Sequence, residues 1–148
     1  MLFVGKTMEK ELILMVGPIG SGKTTLAESL MNDTSVRISQ DEMGKKQHYT
    51  NFLQAVEEGV PRVIIDKMNF NKEQRKRYID PARDFGYVIT IMEMKTPLVD
   101  CHSRAMNRQG HPNIPEGDVE TIDKVLNFFF ENYEKPEDEE YDNYNEIE

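Results

Sequence analysis

The sequence predicts an α/β domain built on a parallel sheet with helices on both faces, and three observations lead there. Short apolar runs alternate with stretches of helical spacing along the chain, the pattern of strands joined by crossover helices. The first run, Glu11-Leu-Ile-Leu-Met-Val16, is apolar without alternation, as a strand buried on both faces must be. It ends at a glycine-rich turn that passes directly into a helical segment.

Taken in order, the first helix is expected from about Gly22 to Met31, with Leu26 and Leu30 on one face. Val36-Arg-Ile-Ser39 reads as the second strand, and Asn51 to Glu58 as a helix carrying Phe52, Leu53 and Val56. Arg62-Val-Ile-Ile-Asp66 is the third strand, apolar until it closes on an acid. Helical spacing returns from Lys72 to Phe85, where Tyr78, Ile79, Ala82 and Phe85 form a stripe. Tyr87 to Met92 is the fourth strand, Leu98 to Arg108 the next helix, and Asp118 to Tyr133 the last. Residues 1–136 form one domain and 137–148 an acidic C-terminal tail. That tail reads either as a solvated end or, through Tyr141, Tyr144 and Ile147, as a short edge strand over Asp142 to Glu148. The edge strand is favoured because a fifth strand completes the sheet.

The chain has 148 residues and a net charge of −9. Between Glu131 and Glu148 nine acids face Lys135 alone, a net of −8, which leaves −1 for everything before. The body is therefore near neutral, which argues against coating long nucleic acid but leaves room for a narrow basic entry. Cys101 is the single cysteine, so no intrachain disulfide forms, and it is expected as a small buried residue on its helix. No apolar stretch is long enough to cross a bilayer, and no signal peptide or zinc-type spacing is evident. These features lead to the expectation of a soluble cytoplasmic domain without membrane partners.

The turn Gly17-Pro18-Ile19-Gly20-Ser21-Gly22-Lys23-Thr24 fits GxxxxGK[ST]. Glycines are needed there because successive backbone N–H groups must turn toward one anion. Lys23 is expected on the β- and γ-phosphates, Thr24 on Mg²⁺, and Thr25 beside them, with the helix start adding its positive dipole end. The fold class is thus a P-loop NTPase: a parallel sheet of four or five strands flanked by helices, with a helical, arginine-bearing lid. The motif predicts binding of ATP or GTP without saying what becomes of the γ-phosphate.

Phosphoryl transfer also needs a proton acceptor, positive charge for the migrating group and contacts to its acceptor. Asp41, just past the second strand, is the candidate base, and it reads equally as a turn or cap acid. Arg104 and Arg108 lie four apart, on one helical face before the Gln109-Gly-His-Pro112 break, as lid arginines suited to phosphate oxygens. Asp66 stands where a Walker-B-type acid is common, able to hold Mg²⁺ through water, orient Lys23 or meet the acceptor. Arg75 is in line with the Tyr78/Ile79 stripe and is expected to point toward the ligand edge, while Lys72, Lys76 and Arg77 read as solvent charges. His48, His102 and His111 are given ordinary surface roles.

The ordered set GPIGSGKT, Ser39-Gln-Asp41, Asp66-Lys-Met-Asn-Phe-Asn-Lys-Glu-Gln-Arg75 and Arg104-x-x-x-Arg108-x-Gly110 resembles the polynucleotide 5′-hydroxyl kinases. The likeness extends to the phage-type enzymes and the kinase module of fungal-type tRNA ligases, from about Glu11 to Tyr133. It implies transfer from ATP or GTP, with Mg²⁺, to the 5′-hydroxyl of the few terminal nucleotides of RNA or DNA. By that resemblance Asp41 is the base, Lys23 and Arg108 stabilise the phosphoryl group, Arg104 supports the lid, and Asn69 and Arg75 lie near the acceptor. Phage-type kinases carry an arginine three residues after the base, but here the position is Gly44, and Lys45 or Lys46 is the expected substitute. The spacing from Asp66 to Asn69 is one residue longer than the family pattern. The alternatives are a small-molecule kinase acting on a nucleoside or sugar, and a non-catalytic nucleotide-binding module. Base contacts are expected from the loop Gly110 to Glu116.

Overall fold

The computed structural model describes residues 9–108, 114 and 117–148. Its elements are β1 (Glu11–Val16), α1 (Lys23–Ser29), β2 (Ser35–Ile38), α2 (Gln40–Met43), α3 (Lys45–Glu58), β3 (Arg62–Ile65), α4 (Lys72–Asp84), β4 (Val88–Met94), α5 (Leu98–Asn107), α6 (Val119–Asn132) and β5 (Asn143–Ile147). All five strands run parallel in the order β2-β3-β1-β4-β5. β1 lies in the middle, with Leu12 opposite Val63 on one side and Ile89 on the other.

The unbroken apolar character of β1 follows from this place, because successive side chains point to opposite faces and both faces are covered. Leu12, Leu14 and Val16 pack with Phe52, Val56, Tyr78 and Ile79, the inner sides of α3 and α4. Ile13 and Met15 pack with Ala27 of α1 and with Ile64. A third cluster joins Ile19 of the glycine-rich turn to Cys101 and Ala105 of α5 and to Ile122 and Leu126 of α6. That cluster couples the turn to the two helices beyond it.

α3 begins at Lys45, six residues earlier than Asn51, and is preceded by the short α2. Gly44 makes the joint, with φ 87° and ψ 158°, a region essentially closed to residues with a side chain. A glycine therefore stands here for the chain's bend. Pro81 lies inside α4, where it deprives the carbonyl of Arg77 of its helical donor. The Tyr49 hydroxyl donates to that carbonyl at 2.9 Å instead.

The acidic tail is part of the sheet: β5 lies parallel along β4. Several contacts fasten the segment leading into it. The backbone N–H of Ile89 donates to the Asp142 carboxylate at 2.8 Å, and Arg83 donates to the Glu139 carbonyl at 2.8 Å. Lys72 pairs with Glu137. Arg75, 0% exposed, donates through Nε to Glu140 Oε1 at 2.6 Å and through Nη1 to the Asn69 carbonyl at 2.9 Å. At the end of β4, Glu93 is buried and accepts from Tyr133, Tyr144 and Lys95, which ties α6 and β5 to β4. Burial opposes its charge, yet those donors hold the carboxyl below its usual range. Among the described residues, no helix is long and apolar enough to cross a membrane.

Candidate functional site

β1 delivers the chain to the carboxyl edge of the sheet, where parallel α/β folds gather their ligands. There Gly17 to Thr24 wraps into a cradle, held by Gly17 N–H on the Met68 carbonyl at 3.1 Å and Ser21 N–H on the Pro18 carbonyl at 3.2 Å. Gly20 adopts φ 75°, and a side chain there would sit 2.1 Å from the Cys101 carbonyl of α5. The turn and α5 thus touch backbone to backbone. Gly22 caps α1 with φ 95°, and the Arg104 guanidinium lies 3.4 Å from where its Cβ would be, which places Arg104 beside the cradle.

Lys23 donates to the Pro18 carbonyl at 2.8 Å. Burial beneath the turn pushes its pKa down to about 8, against the pull of Asp66 and Asp41, while Arg108 depresses it further. Asp66, Asp41 and Arg108 thus lie near enough for their charges to act on Lys23. Asp41 is exposed on α2. Arg108 ends α5, half-buried.

Asp66, at the end of β3, is buried. Its Oδ2 accepts from the Thr24 hydroxyl at 2.9 Å and from Arg37 Nε at 2.9 Å and Nη2 at 2.8 Å. Arg37 also pairs with Glu42 of α2 at 2.6 Å, so it braces the Asp41-bearing turn against the sheet. A hydroxyl and a carboxylate are the hard oxygen donors that Mg²⁺ prefers. No group of three or more His, Cys, Asp or Glu gathers for a metal among the described residues. Thr24 directly, and Asp66 through water, fit that ion.

Two expected acceptor contacts are placed elsewhere. Arg75 does not reach the ligand edge: its guanidinium is buried and committed to Glu140 and the Asn69 carbonyl. Asn69, also 0% exposed, donates from its side chain to the Met15 carbonyl at 2.7 Å and takes a left-handed φ of 47°. Both shape the β3–α4 loop from within. Lys45 is exposed in the first turn of α3, near enough for its charge to act on Lys67. The loop Gly110 to Glu116, expected to contact the base, lies outside the described residues except for Ile114 and is not placed here.

The structure adds residues that sequence reasoning passed over. His48 is not a surface residue: it is 0% exposed, with Nε2 2.9 Å from the Tyr78 hydroxyl. Lys67 donates to the same hydroxyl at 3.1 Å. The available signals were a charged Arg37 inside a strand and a lysine directly after a buried one.

This arrangement, a parallel sheet flanked by helices with a glycine-rich cradle at its carboxyl edge, defines the P-loop NTPase class. The chain matches the model of the AAA domain family over residues 12–54 and 46–132, and it belongs to that family. Among solved structures it is similar to Kti12 of Chaetomium thermophilum in complex with ADP-AlF3, with TM-score 0.68, 16% identity and coverage of 92% of this chain and 88% of that one. The APS kinase CysC of Mycobacterium tuberculosis, in complex with AMPPNP and APS, aligns with TM-score 0.57, 13% identity and coverage of 95% and 90%. A chain of the Pnkp1/Rnl/Hen1 RNA repair complex aligns with TM-score 0.52, 16% identity and coverage of 88% of this chain and 48% of that one. At these identities the likeness establishes a shared fold.

Proposed function

We propose that this protein is a kinase that transfers the γ-phosphoryl group of ATP or GTP to the 5′-hydroxyl end of RNA or DNA. The observation that carries the reading is the place of Asp41. Its charge acts both on Lys23, at the phosphate cradle, and on Lys67, just after β3, which supports a base serving the donor side and a second group of cations. Lys67, Lys45 and Arg77 make up that group, each cation acting on the charge of Lys67. A base flanked by cations suits a hydroxyl carried by an anionic molecule, such as a nucleotide with its phosphodiester, better than one carried by a neutral sugar.

In the proposed reaction the acceptor hydroxyl gives its proton to the Asp41 carboxylate as its oxygen attacks the γ-phosphorus. The bond from that phosphorus to the β–γ bridging oxygen breaks, and the nucleoside diphosphate leaves in line. Lys23, Arg108 and Arg104 hold the spreading negative charge, and the backbone N–H groups of Gly20 to Thr24 hold the β-phosphate. Thr24, and Asp66 through water, would hold Mg²⁺, which would supply charge to neutralise the phosphates. Nucleotide-bound neighbours of the same fold, one with ADP-AlF3 and one with AMPPNP, support the donor side of the reading. The chain of the RNA repair complex lends support to the acceptor side.

The test is incubation with γ-labelled ATP or GTP and 5′-hydroxyl oligonucleotides. Label at the 5′ end of RNA or DNA is expected. Label on free nucleosides or sugars in preference to oligonucleotides would replace this reading with a small-molecule kinase, and slow hydrolysis with no acceptor dependence would replace it with a nucleotide-binding module.

A further inference from the structure

The end of β1 runs past one of its neighbours. β3 pairs with β1 only as far as Leu14 opposite Ile65, whereas β4 follows it to Val16. Along a strand, alternate residues present their N–H and C=O to the same side. Met15 and Gly17 therefore both face the side that β3 has left, where the chain turns into the phosphate cradle. The loop between β3 and α4 supplies what the strand does not. The Asn69 side chain donates to the Met15 carbonyl at 2.7 Å, and the Met68 carbonyl accepts from the Gly17 N–H at 3.1 Å.

Asn69 is fitted closely to that post. It is 0% exposed, and its amide nitrogen faces two carbonyls, Met15 and, at 3.4 Å, Lys67. Only the NH₂ end of an amide can face carbonyls. Its backbone takes a φ of 47°, a left-handed region uncommon for residues with a side chain and best tolerated by asparagine and aspartate. Such a conformation persists only where surrounding contacts impose it.

Those contacts come from the far end of the chain. Arg75 Nη1 donates to the Asn69 carbonyl at 2.9 Å, while Nε and Nη2 donate to Glu140 at 2.6 Å and 3.4 Å. Glu140 Oε2 is itself held by the Glu137 N–H at 2.8 Å. One residue further along the loop, the Phe70 carbonyl accepts from the Glu134 N–H at 2.7 Å. Arg75 and Asn69 are wholly buried, so any effect on a bound nucleotide passes through Met15 and Gly17.

We infer that Asn69 and Arg75 are positioning residues for the phosphate cradle, and that the C-terminal tail, through Glu140, sets their place. The route is unbroken: Glu140 to the Arg75 guanidinium, Arg75 to the Asn69 carbonyl, and the Asn69 amide to Met15, two residues before Gly17. The inference rests on nucleotide binding at the cradle and holds whatever accepts the phosphoryl group.

Calorimetric titration with AMPPNP and Mg²⁺ tests it, at a temperature where every variant is fully folded. Under that condition a loss of global stability alone leaves affinity unchanged. Asn69→Gly takes the left-handed φ freely and loses only the side-chain donors. Arg75→Met with Glu140→Leu replaces the buried pair by apolar groups and releases the Asn69 carbonyl. Each is expected to bind AMPPNP about tenfold more weakly, the effect of one hydrogen bond lost between buried groups. Tyr87→Phe is the control. It removes a 2.7 Å bond to the Val60 carbonyl at the opposite, amino-terminal edge of the sheet, and should keep wild-type affinity. Wild-type affinity in Asn69→Gly or in the double variant overturns the inference. An equal loss in Tyr87→Phe also overturns it, because the effect would then be a general loosening of the fold. The readout needs no turnover, so failure of transfer to 5′-hydroxyl ends would leave the inference standing.

Discussion

Asp41 acts on the charge of Lys23 from a different element, one on the exposed α2 after β2 and the other under the glycine loop. Replacing Asp41 by alanine removes the proposed proton acceptor and leaves the cradle intact. Transfer to a 5′-hydroxyl should fall by about 10²-fold or more, with nucleotide affinity within a few-fold of wild type by calorimetry. Lys23 supplies a second prediction. With a pKa lowered to about 8, the free enzyme carries this charge below that value and loses it above. Nucleotide affinity should therefore be steady on the acid side and weaken by up to about tenfold per pH unit as pH climbs past 8. A pH series of binding constants checks it, and Lys23→Met should flatten the slope. The positions of Gly17 to Thr24 were legible in the sequence because the motif spells out backbone geometry that only glycine meets. Arg75 misled for the opposite reason. Its place on the α4 stripe correctly predicted that it faces inward, but an inward arginine needs a partner, and its partner Glu140 lies 65 residues away.

At the level of elements, one close contact in the tail and one in the glycine loop can each be tested by a single substitution. Glu140 is nearly buried against the wholly buried Arg75. Removing one member of such a pair strands the other's charge, at a cost of about 3–5 kcal/mol. Glu140→Ala should therefore unfold at markedly lower denaturant, whereas Arg75→Met with Glu140→Leu together should recover much of the loss. Gly20→Ala tests the contact with α5. Its Cβ would sit 2.1 Å from the Cys101 carbonyl at a φ of 75°, so either the loop or α5 must shift, and both stability and nucleotide affinity should drop. The edge strand β5 was legible through the spacing of Tyr141, Tyr144 and Ile147. The early start of α3 at Lys45 was not, because Gly44 breaks the local pattern and His48, buried by its bond to Tyr78, looks polar in isolation.

Across the whole molecule, the tail changes what the charge balance means. Two of its acids, Glu137 and Glu140, pair with Lys72 and Arg75 of α4, and Arg83 donates to the Glu139 main-chain carbonyl, so part of the basic helix that looks like an entry for nucleic acid is engaged within the fold. Lys45 and Arg77, whose charges act on Lys67, stand apart from those pairs. Three such cations suit the end of a strand. Affinity for 5′-hydroxyl oligonucleotides should cease to grow beyond a few nucleotides, and its log–log salt slope should be about −2, near 0.7 per cation engaged on a single strand. A much steeper slope, rising with length, would point to an extended groove instead.

The most direct measurement is end-labelling with γ-labelled nucleotide and a 5′-hydroxyl oligonucleotide, run in parallel on the wild type and Asp41→Ala. Label at the 5′ end with the wild type, and its loss in the variant while nucleotide still binds, is the predicted outcome. Full labelling by Asp41→Ala, or none by the wild type on either RNA or DNA, would contradict the account.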